Sequence, residues 1–425
     1  MKKSLLRAAL LAFLPFCMIG SAVITAPAAA ADKPAAPKIS KSIMKLVAAI
    51  EKANAAKDWA TAIAKCNEAL AIPDLTDYDK YILERFLGIA YLNLGDHASA
   101  TTAVTAALMN PAIPPGDRTQ LLRPALALQN EAGNYPKVLE LGKIAIQDNS
   151  ADDTVYGEMA AAAYNIKDLP TAGIYAQKSI DLATAAGKMP VYAVYQVLVI
   201  CQDKAKDRKG TIKTLEMMAN GYGQPDDWRS LLDFSMESLP AGNKQAAALD
   251  FYRLRLTVGA TSTGPDYLAM VDVAQFSHSP GDVQRAIKAA VASGALTSAK
   301  AAPFLNKADA DARRDEAILA QAEATAAKGA SAKADVNVAE AYFGYGRYSD
   351  VVRVTQLAIG KGGDGVAQAR LLLGMAQTMM GDETAAAQTL DSVSGDGALT
   401  RAAQLWKLYV TRKYGRTPAT APAAQ

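Results

Sequence analysis

The sequence predicts an all-α protein, an α-solenoid of about ten helical hairpins finished by a C-terminal capping helix. Three observations predict it. Alanine fills 88 of the 425 positions and aromatic residues only 7%, a composition suited to helices that pack closely. Apolar residues recur at i, i+3, i+4 and i+7, as at Ile82, Phe86 and Ile89 before one turn and Val104, Ala107 and Leu108 after it, and no segment sustains the alternation of a strand. Turn residues recur every few tens of residues, which marks stacked units that cannot bury an apolar face singly.

Taken in order, residues 1–31 run from the basic Lys2, Lys3 and Arg7 through an apolar stretch, 8–24, to the small-residue end Ala28–Ala31. That is the order of a secretory signal peptide, and Pro15 within the stretch disfavours a permanent span. Cleavage is expected near Ala31, and lipid attachment at Cys17 is disfavoured by the bulky Phe16 before it. No later apolar run is long enough to cross a bilayer. The mature chain is therefore expected to be exported, to the periplasm in a host with two membranes. Residues 32–41, with Pro34 and Pro37, read as a linker. The solenoid occupies 42–414, with a break into lobes 42–259 and 264–414 as one option. A capping helix is expected over 399–414, and a Pro- and Ala-rich tail over 415–425.

The hairpins are placed by their turns. Lys57, Gly95, Gly133, Asp168, Asp207, Gly242, Gly281, Gly346 and Gly381 are separated by 38, 38, 35, 39, 35, 39, 65 and 35 residues. Five residues beyond each comes a small or β-branched side chain, where two helices would touch: Ala62, Ala100, Val138, Gly173, Ile212, Ala247, Ala286, Val351 and Ala386. Gly88 and Gly374 are the matching small contacts on first helices. The 65-residue gap is expected to hold a degenerate unit, with a short helix 299–306 and a longer one 309–328 ended by Gly329.

Leu87-Gly88-x-x-Tyr91, followed by Gly95, Ala100, Ala107 and Pro111, resembles the tetratricopeptide repeat family, and so does Leu373-Gly374 followed by Gly381 and Ala386. The resemblance covers most of the chain and is well formed in three or four units. Tyr91, Tyr164 and Tyr342 match the family's first-helix tyrosine, Gln129 and Gln377 replace it, and the large aromatic early in the first helix is mostly missing. Because family members are protein-binding scaffolds, the resemblance implies a non-enzymatic scaffold or adaptor in the bacterial cell envelope, whose partner is another envelope protein or a peptide segment. The second reading is an accessory subunit or helical domain of a wall-remodelling, lytic transglycosylase-like system.

Charge and chemistry narrow the classes further. Without the leader, 42 Lys and Arg face 42 Asp and Glu, so no basic surface is available for a phosphate backbone. Two histidines, His97 and His278, lie five repeats apart beside turns and read as solvated turn residues, with no metal and no cofactor expected. Gly360-Lys361-Gly362-Gly363-Asp364-Gly365 lacks the Gly-Lys-Ser/Thr ending and the preceding strand of a phosphate loop and reads as an inter-repeat turn. Glu237-Ser238 matches the catalytic dipeptide of lytic transglycosylases, but their Gly-Leu-Met-Gln segment is absent downstream, so a helix-end carboxylate is favoured and no catalytic residue is assigned. Asp152-Asp153 and Asp226-Asp227 read as helix N-terminal caps. Cys66 and Cys201 read as two buried small apolar residues.

Partner recognition is expected on the face of the first helices that points away from the second ones. Stepping back ten, six and three or two residues from each turn follows one helical face. In the N-terminal half this selects Arg85, Asn93, Arg123, Asn130, Glu158, Asn165 and Lys204, mostly polar. In the C-terminal half it selects Met236, Val336, Phe343, Leu371, Met375 and Met379, mostly apolar, with core packing between helices as the competing role.

Overall fold

The computed structural model describes residues 38–395 and 397–412, leaving out the side chains of 241–243, 245 and 246. The expected signal segment 1–31, residues 32–37 of the linker and the tail 415–425 lie outside the described residues. Among the described residues there are twenty α-helices and no strand. They form two compact units that divide after Lys204, earlier than the break expected between 259 and 264.

The first unit contains four hairpins: α1 (Met44–Ala55) with α2 (Trp59–Leu70), α3 (Asp77–Leu94) with α4 (His97–Met109), α5 (Pro115–Glu131) with α6 (Tyr135–Gln147), and α7 (Asp153–Asn165) with α8 (Leu169–Ala185). A single helix, α9 (Tyr192–Lys204), follows. Packing runs from each helix to the next one or two along the chain, as in a stack of nearest neighbours.

Each hairpin turns in the same way. The first helix ends in a left-handed residue: Lys57, Gly95, Gly133 and Lys167 all have φ between 57° and 77°. The next amide reaches back to a carbonyl of the last turn: Asp58 N to Ala53 O at 2.9 Å, Asp96 N to Tyr91 O at 3.0 Å, Asn134 N to Gln129 O at 2.9 Å and Asp168 N to Ala163 O at 3.0 Å. The same aspartates then open the second helix, their carboxylates accepting from the amides of Thr61, Ser99 and Thr171 at 3.1, 3.1 and 3.2 Å. In three of the four hairpins one aspartate thus ends one helix and caps the next, while Asn134 makes the backbone bond without a side-chain cap.

The structure corrects the sequence register at four turns, one of which, at Gly242, falls inside the helix Ala241–Thr257. Asp168 and Asp207 are caps, and the left-handed residues before them are Lys167 (φ 68°) and Lys206 (φ 60°). The inter-helix contacts are consequently Ala172 and Thr211, both fully buried, and not the half-buried Gly173 and Ile212. In the turn assigned to Gly281 the left-handed residue is His278 (φ 52°). Gly281 instead lies in a helix's first turn, where an added Cβ would sit 2.5 Å from the backbone carbon of Gly344. Lysine and histidine pay a modest strain in this conformation, and the glycine signal disappears with them.

The second unit contains α10 (Arg208–Gly221), α11 (Pro225–Ser238), α12 (Ala241–Thr257), α13 (Gly264–Phe276), α14 (Pro280–Ala292), α15 (Ser298–Lys328), α16 (Ala332–Gly344), α17 (Tyr348–Lys361), α18 (Val366–Met379), α19 (Glu383–Asp391) and α20 (Gly397–Val410). The degenerate hairpin is a single 31-residue helix, α15, with Pro303 inside it. Pro303 stands near the start, where a missing amide costs one backbone bond. Beyond it, Ala308 and Ala312 are buried, and then Leu319 and Ala326, so one stripe serves α14 first and α16 afterwards. Lys361, in the glycine-rich segment, donates to the Ala326 carbonyl at 2.6 Å and to buried Asp335 at 2.5 Å. It secures the end of α15, a structural task unlike that of a phosphate-loop lysine.

The capping helix α20 packs on α18 and α19 and also on α12 and α10 from the start of the unit. The second unit therefore closes on itself, unlike the first.

Small residues set the approach of paired helices. A Cβ on Gly88 would lie 2.6 Å from Val104 Cγ2, and one on Gly374 would lie 2.6 Å from Leu390 Cγ. Gly374→Leu is expected to cost roughly 1–3 kcal/mol by overpacking, read as a lower thermal midpoint by circular dichroism. Gly360→Ala, with nothing within 4 Å of the new atom, should leave that midpoint unchanged or slightly raised.

Candidate functional site

On the first unit the face selected from sequence is a set of side chains that tie neighbouring first helices together. Arg85 and Asn93 stand on α3, Arg123 and Asn130 on α5, Glu158 and Asn165 on α7, and Lys204 on α9. Asn93, Arg123, Asn165 and Lys204 are exposed, and Arg85, Asn130 and Glu158 are half-buried. Arg85 Nη1 lies 3.3 Å from Asp117 Oδ2 in the first turn of α5, and the Tyr81 hydroxyl donates to the same oxygen at 2.5 Å. Arg123 pairs with Asp152, whose carboxylate also caps α7 by accepting from the Thr154 and Val155 amides. Asn130 Nδ2 donates to the Glu158 carbonyl at 3.1 Å and to its carboxylate. Burial pushes the Glu158 carboxyl above its ordinary range, against the hydrogen bond from Asn130.

These links run α3 to α5 to α7, and their first effect is geometric. Exposed ion pairs of this kind contribute about 0–1 kcal/mol each, but they hold long side chains in fixed orientations. Asn93 and Asn165 donate back to the Ile89 and Ala161 carbonyls, both at 2.8 Å. His97 is more than a solvated turn residue, because its Nδ1 contacts Glu131 Oε2 at 2.5 Å and so joins the start of α4 to the end of α5.

The apolar half of the expected face is overturned. Phe343, Met375 and Leu371 are fully buried and Val336 is 6% exposed. Met236 is half-buried, and only Met379, at the end of α18, reaches the surface, with its Sδ 4.0 Å from Thr257 Oγ1. At Phe343 the cover comes from α12, which lays the Arg253 guanidinium over the ring at 4.6 Å from its centroid. Val336, Phe343, Leu371 and Met375 are core residues of a closed unit.

The second unit holds a charge cluster that the sequence reading missed. Arg253 is completely buried. Its Nε and Nη2 donate to Asp282 Oδ2 at 3.1 and 2.7 Å, and its Nη1 donates to Asp250 at 3.2 Å and to Glu340 at 2.6 Å. Gln368 on α18 donates to Asp250 at 3.3 Å and to Glu340 at 2.8 Å. Arg285 approaches Asp282 at 3.2 Å and donates to the Tyr348 hydroxyl at 3.1 Å, and Ser279 donates to Asp282 at 2.8 Å. Although burial opposes it, Arg253 and Arg285 hold the Asp282 carboxyl below its usual range. The available signal was Asp250 and Arg253 three residues apart inside an apolar run, 246–256.

The remaining candidates carry no converging chemistry. Glu237 is exposed and pairs with exposed Arg208 at 3.1 Å. Cys66 and Cys201 are unpaired and buried, and burial pushes the Cys66 thiol up to about 12. Among the described residues no group of three His, Cys, Asp or Glu is placed to hold a metal, and no helix is long and apolar enough to cross a membrane.

Removing the buried cation should be costly because three carboxylates would lose their partner. Arg253→Met is expected to destabilise the second unit by roughly 3–5 kcal/mol. Lys65→Ala, which breaks an exposed pair with Glu68, should change stability by less than about 0.5 kcal/mol. Urea denaturation of both variants measures the contrast.

No family model and no curated protein matches the chain. Among solved structures, residues from 41 onward of MamA from Desulfovibrio magneticus RS-1 are 16% identical over 42% of this chain and 93% of that one, with a TM-score of 0.32. A tetratricopeptide repeat protein from Parabacteroides merdae ATCC 43184 is 11% identical over 77% of this chain and 98% of its own, with a TM-score of 0.28. The TPR domain of P58(IPK) is 12% identical over 86% and 98%, with a TM-score of 0.23. The left-handed turn, the aspartate cap and the small-residue contact recur along its own hairpins, and the chain is an all-α protein of repeated helical hairpins.

Proposed function

We propose that the protein is a non-enzymatic interaction scaffold of the bacterial cell envelope that recognises another protein, or a peptide segment of one, through the first helices of its first unit. The observation that carries this reading is the chain of polar side chains along α3, α5 and α7. Arg85, Arg123, Asn130 and Glu158 are held in place by Asp117, Asp152 and one another, while Asn93, Asn165 and Lys204 stand exposed beside them. Groups fixed before binding lose little rotamer freedom on contact, which favours affinity. Polar and charged groups arranged along a face give orientation and partner choice more than bulk affinity. In the second unit the corresponding Val336, Phe343, Leu371 and Met375 are buried and do not extend this surface.

Export follows from the leader and forms part of the same proposal. Intact-mass measurement of the exported protein should find a chain beginning near Asp32. A species that keeps residues 1–31, or carries acyl chains on Cys17, would refute it.

Capture of partners from envelope extracts with the mature chain tests the face. Arg85→Glu combined with Arg123→Glu should lower recovery of the principal partner by roughly tenfold, a loss of about 1.4 kcal/mol, with the helical circular dichroism spectrum unchanged. Unchanged recovery by the folded variant would move recognition to another surface. Robust hydrolysis of purified cell wall that Glu237→Gln abolishes would replace the scaffold reading with the wall-remodelling one.

A further inference from the structure

We propose that Asp250 keeps a proton in the folded chain, which lets Glu340 stay on Arg253 and Gln368 and so ties α12 to α16 and α18, and that release of this proton as pH rises loosens the second unit. With every group ionised, Asp250, Asp282 and Glu340 carry three negative charges against the two positive charges of Arg253 and Arg285. Asp282 is matched, since it receives Arg253 through two nitrogens, Arg285 and the Ser279 hydroxyl. The remaining two carboxylates compete for one guanidinium nitrogen, Arg253 Nη1, and one amide, Gln368 Nε2. A carboxylate buried beside a second one that competes for the same donors favours its protonated form.

The other groups around Asp250 do not supply the missing cation. On its own helix Arg255 is committed to Asp233 of α11 and Asp266 of α13, at 3.1 and 3.2 Å. From α20, Trp406 Nε1 donates to the Asp250 backbone carbonyl at 3.2 Å, while Arg401 is turned to Ser235 and Glu216. The side chain of Asp250 is only 3% exposed, whereas that of Glu340 is 29% exposed. When the proton leaves, Glu340 is the partner able to turn towards water, and its contacts with Arg253 and Gln368 break. Those two contacts join α16 to α12 and to α18.

Burial first, and then the neighbouring Glu340, push Asp250 up to about 7, whereas an unfolded aspartate releases its proton near pH 4 (pKa about 3.9). The folded chain therefore holds a proton that the unfolded chain has lost. The stabilisation is complete below about pH 4 and disappears as pH rises through about 7.

The chain's three tryptophans make the test direct. Trp228 and Trp406 lie in the second unit and Trp59 in the first, so fluorescence of the full chain with Trp59→Phe reports the second unit. Urea unfolding at about pH 5.5 and pH 8 should give a lower midpoint at the higher pH, with an unfolding equilibrium constant larger by about tenfold or more. Asp250→Asn, which keeps the shape of the protonated acid, should remove most of the difference. If that variant does not fold, Glu340→Gln, which removes the neighbouring charge and leaves Asp250 buried, should shrink the difference without abolishing it. A midpoint equal or higher at pH 8 would overturn the proposal, and so would a pH dependence left undiminished in the folded variant.

Discussion

A fully buried guanidinium organises the second unit. The desolvation of Arg253 is tolerable only where carboxylates converge on it with good geometry, and the carboxylates that do so come from its own α12, from α14 and from α16. Gln368 brings in α18, and the Phe343 ring from α16 covers one face of the cation. Helices distant in sequence are thereby fixed around α12, and Trp406 of α20 closes the unit by donating to the Asp250 carbonyl. A stack of hairpins that would otherwise leave an open inner surface is converted into a closed body.

The first unit obeys a different constraint. Its helices pack with neighbours along the chain, and its charges lie on the surface in pairs that bridge successive first helices. Such pairs contribute little to stability, so their consequence lies in orientation. A solenoid of this kind derives its stability from local interfaces and leaves its first-helix face available. The proposed division of labour follows, with recognition on the first unit and a proton-linked rigid body in the second.

The periodic features were legible because they come from local chemistry. Gly95 and Gly381 mark left-handed turns, Asp96 and Asp382 cap the following helices, and Gly88 and Gly374 mark close contacts, each within a few residues of the others. Where Lys167, Lys206 and His278 adopt the left-handed conformation the marker is lost, and the register slipped to the cap or the next glycine. The short helix expected over 299–306 and the longer one over 309–328 are one helix, joined through the buried stripe of Ala308, Ala312 and Leu319. The polar face on α3, α5 and α7 follows from helical periodicity alone. The cover over Phe343 does not, because it depends on Arg253 arriving from 90 residues upstream. Helical periodicity shows which side of a helix is apolar but not which distant element covers it.

The central claim is that the first unit is a stack of locally supported hairpins and the second a single body built around Arg253. Native-state hydrogen exchange across sub-denaturing urea tests it most directly. The account predicts that amides in α12, α14, α16 and α18 converge on one large opening free energy and exchange together, while α1 to α8 show graded openings hairpin by hairpin. Independent, graded openings of α12, α14, α16 and α18, matching those of the first unit, would contradict it.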